Sequence, residues 1–411
     1  MPAYGPFPGG MQFYSPNFTP TISAANPSSP NPVQGQYFAN CPFISALASI
    51  AWVNRKFIIN NISGPDGNGN YTFNFWDYGV NNTVTLPNTT IGTQIPVTVS
   101  PNVLLDSSGS ISNQNGFYGA GSSNTNPQSL WPALYERAYA KFCIYENNLT
   151  LQGSTTPMSA TNLTDTTQDP AFADVLSLSQ NPVGNYWGGN GAFALMYLTG
   201  LQSFTLSTQT TSFPTSTTGG VLGNTGTTAN SASSASAASS ASASGQPLTS
   251  MCGLYAYIES GFCVESTKVY GMYKTRYPLV ASTYFQASQS PNPGAVTYSN
   301  STIVANHNYS ILGVFDAPNG LHYIILRTTF GSNPNYPNPT VSGVASGTWS
   351  APPGPYDAQF PMGSTPQYPS TKATKFPMTI TLSSSTPNAI FGLEQGAFIN
   401  YFSSIGWAKG Y

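Results

Sequence analysis

The chain of 411 residues is long enough to bury a sizeable core, yet it carries only 11 Lys+Arg and 13 Asp+Glu, 6% of residues where about a quarter is usual. A formal net charge of −2 without any Lys/Arg cluster argues against nucleic acid and anionic membranes as partners, and the longest apolar run, around Cys41, is too short to span a bilayer. The surface is left to Ser, Thr, Asn, Gln, Gly and Tyr, so acid denaturation by carboxylate protonation has little to act on, which suits an acidic, extracellular or cell-surface setting.

Residues 1–32 are rich in Pro, Gly, Ser, Asn and aromatics and read as an extended arm able to wrap a neighbouring copy. Its first residues show neither a charged n-region nor an apolar h-region, so the expectation is a signal already removed or another exit route, such as release inside a virus particle. From Cys41 to Val53, Phe43, Ala46, Leu47, Ile50 and Val53 recur at helical spacing, with Asn40 placed to cap the helix and Pro42 in its first turn. Cys41 therefore stands at a helix N-terminus, where orphan N–H groups and the macrodipole favour a thiolate. A buried structural cysteine is the competing reading of the same position.

Lys56 to about Val99 alternates in the manner of strands, as in Tyr71-Thr72-Phe73-Asn74-Phe75-Trp76, and a Gly/Ser-rich loop at about 107–127 follows. Ser129–Phe142 predicts a second helix with Trp131, Leu134, Tyr135, Ala138 and Phe142 on one face, and Trp187–Gly200 a short one bounded by glycine. Residues 148–185 read as polar loop, 215–245 as Ser/Thr/Ala/Gly low complexity that cannot fold alone, and 249–275 as a helical or mixed segment. Strands are expected at Asn308–Phe315 and Leu321–Arg327 about the turn Asp316-Ala317-Pro318-Asn319-Gly320, and strand and helix signals return at 376–411.

Four cysteines, at 41, 143, 252 and 263, form no Cys-x-x-Cys, and Cys252 with Cys263 is the pair best spaced to bond. The two histidines stand 15 residues apart and carboxylates are sparse, so the expectation is no metal and no cofactor. Nine Asn-x-Ser/Thr sequons (Asn17, Asn61, Asn70, Asn81, Asn88, Asn148, Asn162, Asn300, Asn308) fit a glycosylated exterior. A thiolate needs a base, for which imidazole is the usual group. His307, at a loop-to-strand edge, is the better candidate, and His322, alternating within an apolar strand, reads as a packed or satisfied residue.

In their order these segments resemble the protease core of the calpain family, a branch of the papain-like cysteine proteases. Asn40-Cys41 through Ile50 is similar to the nucleophile helix. Trp131-Pro132-Ala133-Leu134 with Glu136-Arg137-Ala138-Tyr139-Ala140-Lys141 is similar to the next helix, and Gly191–Gly200 to the one after. His307-Asn308-Tyr309-Ser310-Ile311-Leu312-Gly313 resembles the His-Ala-Tyr-Ser-x-x-Gly strand, and Gly396-Ala397-Phe398 the closing Gly-x-Phe-Trp segment. The resemblance implies Cys41 as nucleophile, His307 as base and then acid, and an oxyanion hole made by the Cys41 N–H with a glutamine side chain. Gln34 is the first choice for that glutamine and Gln36 the second. The family's orienting Asn-Pro-Trp-Gly corresponds to Thr328-Thr329-Phe330-Gly331, so Thr328 takes the orienting place, and Pro42 stands where the family has Trp.

The expected fold is α+β, papain-like and two-lobed, with a helical lobe carrying Cys41 and a β-rich lobe carrying His307. It occupies 33–411 behind the arm, with insertions at about 57–127 and 201–248. Two functions follow. One is a thiol endopeptidase acting on peptides or proteins; the other is the same fold kept as a structural subunit of a virion, filament or cell surface, contacting other copies through the arm and 215–245.

Overall fold

The computed structural model describes residues 3–6, 38–79, 92–105, 131–180, 190–209, 251–265, 271–299, 303–330, 339–351, 378–382 and 389–408. The first half runs β1 (Ala3–Pro6), α1 (Cys41–Val53), α2 (Arg55–Asn60), β2 (Ile62–Ser63), β3 (Tyr71–Asp77), β4 (Thr93–Val99), β5 (Asn102–Leu105), α3 (Trp131–Glu146), α4 (Phe172–Gln180) and α5 (Gly191–Thr199). The second half continues with β6 (Ser203–Ser207), α6 (Met251–Phe262), β7 (Cys263–Glu265), β8 (Met272–Thr283), β9 (Asn308–Asp316), β10 (His322–Thr328), β11 (Gly347–Ala351), β12 (Met378–Leu382), β13 (Ile390–Glu394), α7 (Gln395–Tyr401) and β14 (Phe402–Ala408). The architecture is α+β: helices dominate the first half, and the second is built on an antiparallel sheet in the order β13-β10-β9-β8-β14-β6, with β7 also paired to β8.

Every residue of α1 is buried, because the helix lies between the two halves and has no solvent face. Phe43, Leu47 and Ile50 enter a core shared with Leu134 and Tyr135 of α3 and Met196 of α5, and Phe43 stacks on Tyr139 with ring centroids 4.4 Å apart. Ala48, Trp52 and Val53 pack instead against Leu312, Ile325 and Trp349 of the sheet half. Each large apolar side chain so buried contributes about 1.5–3 kcal/mol.

Polar pins fix this packing. Ser310 Oγ donates to Ser45 O at 2.8 Å, Leu279 N to Ser49 Oγ at 2.7 Å, and Trp52 Nε1 to Leu312 O at 2.8 Å. Positions 45, 49 and 52 form one helical stripe, and Cys41 begins it one turn earlier.

Several of the rare charges are inside, among them Glu136, Arg137, Lys141, Glu146, Lys274 and Arg327. Asp169 receives Arg137 at 3.3 Å and Lys141 at 3.0 Å, and all three are buried. The cost of desolvating these ions is offset only while all three remain together. Among the described residues no helix is long and apolar enough to cross a membrane.

Several expectations are corrected. Within 57–127, Phe73, Phe75, Val97 and Val99 are fully buried in the helical core. The chain after 201 likewise begins with β6, an edge strand of the main sheet, antiparallel to β14. Residues 3–6 of the arm pair with β5 of the same chain, so at those four residues the partner is internal. The rest of the arm, the loop at 107–127 and the 215–245 stretch fall outside the described residues. Cys263 is a free, buried thiol, and the side chain of Cys252, its expected partner, lies outside the described residues. Asn308 is 3% and Asn61 6% exposed, so neither sequon can take a glycan in the folded chain.

Candidate active site

Pro42 and the apolar run after it start α1 at Cys41, and Ile44 N donates to Asn40 O at 3.1 Å to close the first turn. The Asn40 side chain does not cap the helix. Its amide Nδ2 donates to Glu136 Oε1 on α3, and its Oδ1 accepts no N–H of the first turn. Burial raises Glu136 well above the ordinary carboxylate range, against the Asn40 hydrogen bond, which lowers it.

The Cys41 sulfur is buried, and burial pushes its thiol up to about 11 despite the helix N-terminus. A low-pKa thiolate was the expectation; desolvation outweighs the macrodipole here, and the resting group at neutral pH is the thiol. What acts against desolvation is Asn308: its Nδ2 donates to Cys41 Sγ at 3.7 Å, and its backbone N–H also favours the thiolate.

His307 directly precedes β9 and extends its ladder with β8. Its N–H donates to Thr283 Oγ1 at 2.9 Å, and its carbonyl accepts the Thr283 N–H at 2.9 Å. The ring lies flat on Phe330, centroids 4.6 Å apart and 5° from parallel, and meets Tyr309 edge-on at 5.2 Å. Desolvation lowers the imidazole from 6.5 to about 3, so it is neutral at neutral pH.

The ring's hydroxyl partner is Thr329, with Oγ1 2.8 Å from His307 Nε2. Thr328, the expected orienter, accepts the Phe330 N–H at 3.3 Å and so supports the turn. The correction has a simple cause. Thr328 is the last residue of β10 and pairs with Tyr309, so the first hydroxyl beyond the ladder is the one able to face the ring. Gln34 and Gln36 lie outside the described residues.

Two contributors escaped the sequence reading. Asn308 looked only like a sequon and a strand start. Phe330 could have been found, since it stands in the place of the family's Trp and covers the same ring. His322, by contrast, is satisfied as anticipated: Nδ1 is 2.6 Å from Asp316 Oδ1, and Tyr255 packs over the ring at 4.5 Å.

The geometry thus sets a cysteine at the start of a central helix against the strand that follows a buried histidine. Residues 17–173 match the family model of the calpain family cysteine protease. This part of the chain is similar to the calpain-family core. No curated protein matches the chain. The calpain-family match covers Cys41 and α3 with its buried Glu136, Arg137 and Lys141, and it ends before His307 and Thr329. The family matched is one of cysteine proteases.

Proposed function

We propose that the protein is a calpain-like thiol endopeptidase in which Cys41 is the nucleophile and His307 the base and then the acid. The observation that carries this reading is the contact across 267 positions of sequence that brings Asn308, the residue after His307, onto the Cys41 sulfur. With Nε2 engaged by Thr329, His307 Nδ1 is the nitrogen left to act. As sulfur attacks the peptide carbonyl carbon, Nδ1 takes the thiol proton, and the imidazolium then protonates the leaving amine. A water attacks the resulting thioester, giving its proton to Nδ1, and collapse returns the proton to sulfur and frees the acid. The Cys41 N–H at the helix start and the Gln34 amide serve the oxyanion.

At rest the sulfur accepts from Asn308 and the ring is bonded to Thr329, so the proton transfer requires the thiol S–H to turn to the ring while the amide stays on sulfur. The same observation favours the second reading, a calpain-like fold kept as a structural subunit whose cysteine no longer turns over.

Peptide hydrolysis by the wild type, Cys41→Ala and His307→Ala, with mass spectrometry after a peptidyl electrophile, decides between them. Turnover lost in both variants and label on Cys41 but not Cys143 or Cys263 supports the peptidase. Turnover persisting in Cys41→Ala, or no turnover and no label in the wild type, overturns it.

A further inference from the structure

Asn308 is 3% exposed and spans three elements. Its Oδ1 accepts Gly191 N–H at 3.1 Å, from the first turn of α5, and Ser282 Oγ at 2.7 Å, from β8, while its Nδ2 points to Cys41 Sγ at 3.7 Å. The Gly191 N–H on Oδ1 settles the amide's orientation, because the flipped amide would set NH2 against an N–H and lose that bond. The NH2 end therefore faces sulfur. Gly191 is part of this device: a Cβ there would lie 2.9 Å from Val280 and 3.3 Å from Asn308 Oδ1, so any side chain would displace the amide.

We propose that Asn308 is a positioning residue for the nucleophile: clamped by Gly191 and Ser282, its amide holds the Cys41 sulfur and supplies the hydrogen bond that stabilises the thiolate as it forms. This rests on the reading of Cys41 as nucleophile. The family strand resembled here has Ala at this place, so the amide compensates for a burial that otherwise keeps the proton on sulfur. A donor to a developing anion is worth more than one to a neutral group, and Asn308 has no ionisable proton of its own to lose.

The test is a thiolate titration by ultraviolet absorbance on the full chain, each variant read against the same variant carrying Cys41→Ser, so that tyrosinates and the other thiols cancel. It needs no turnover, so a protein without peptidase activity still answers it. Asn308→Ala is expected to raise the Cys41 midpoint by roughly one pH unit, about a tenfold loss of thiolate at fixed pH. Ser282→Ala, which removes one of the two clamps, should move it the same way by less. Ser310→Ala removes the neighbouring pin to α1 and should leave it in place.

A midpoint unchanged or lowered in folded Asn308→Ala overturns the proposal, and so does a shift in Ser310→Ala as large as that in Asn308→Ala. Should Asn308→Ala not fold, an unchanged midpoint in Ser282→Ala overturns it.

Discussion

At the scale of single residues, burial rather than surface charge sets the chemistry. His307 is neutral in the fold down to about pH 3, whereas the unfolded residue takes a proton near 6.5. Between those values the unfolded chain binds the extra proton, so stability falls as pH falls through that window, by up to about 1.4 kcal/mol per pH unit. Glu136 works oppositely, since a carboxyl raised by burial favours the fold at low pH and loses that contribution as pH rises. Replacing His307 with Gln separates the two. Urea denaturation at a series of pH values should show a flatter acid limb in the variant than in the wild type, and parallel limbs would contradict the buried neutral imidazole. The composition argument for acid tolerance, made from the scarcity of carboxylates, left this histidine out. For orientation of the ring, Thr329→Ala should lower peptide turnover by roughly tenfold, the worth of one hydrogen bond, while Thr329→Ser keeps it and Thr328→Ala changes it far less. Equal losses at 328 and 329 would return the role to Thr328.

Elements with a strong helical period were legible before their partners were known. The spacing of Phe43, Leu47, Ile50 and Val53 matches α1 as observed, and the start of β9 directly after His307 was read from its apolar run. Elements whose burial is partial or whose ladder is broken were not. In α4 only Val175 and Leu178 are buried, too few to print a period on a polar segment. Strand β8 contains Lys274, Arg276 and Pro278, and its register shifts between Lys274 and Leu279, where the backbone N–H of Leu279 leaves for Ser49 Oγ. Alternation cannot be read through such a break. Thr329 was misplaced by one residue for a related reason: aligning short motifs fixes order along the chain, but where a ladder ends decides which hydroxyl turns inward. The Glu-Arg-Ala-Tyr-Ala-Lys run of α3 was legible as a family feature and opaque as physics, because sequence alone did not show Asp169 meeting its two cations. Asp169→Ala removes the carboxylate that Arg137 and Lys141 share, leaving them neutral oxygens such as Ser100 Oγ and Thr98 O, and should cost about 3–5 kcal/mol in urea denaturation. A loss under about 1 kcal/mol would mean the cations reach water. Glu136→Gln should be close to neutral, since an amide keeps an oxygen for Asn40 without a proton to titrate.

Across the whole molecule, α1 belongs to both halves at once. One side contributes to the aromatic core with Tyr135 and Tyr139, the other to the cluster with Leu312 and Trp349, and Ser45, Ser49 and Trp52 are bonded to β9 and β8. Papain-like folds place their cleft between two lobes, and independent lobes would melt independently. Here the helix that bears Cys41 cannot leave one half without exposing the apolar face it gives to the other. Calorimetry should therefore show one transition for the described core, with the calorimetric and van't Hoff enthalpies equal. Trp52 is the residue to probe. Trp52→Phe keeps much of the apolar volume but removes the indole N–H donor, while the Leu312 carbonyl still accepts from Thr275 Oγ1, so the cost is that of one hydrogen bond, about 0.5–1.5 kcal/mol. If α1 couples the halves, the variant melts lower and still in one step. Two resolved transitions in the wild type would show that the halves fold apart, and the placement of Cys41 against β9 would then depend on lobe docking rather than on a shared core.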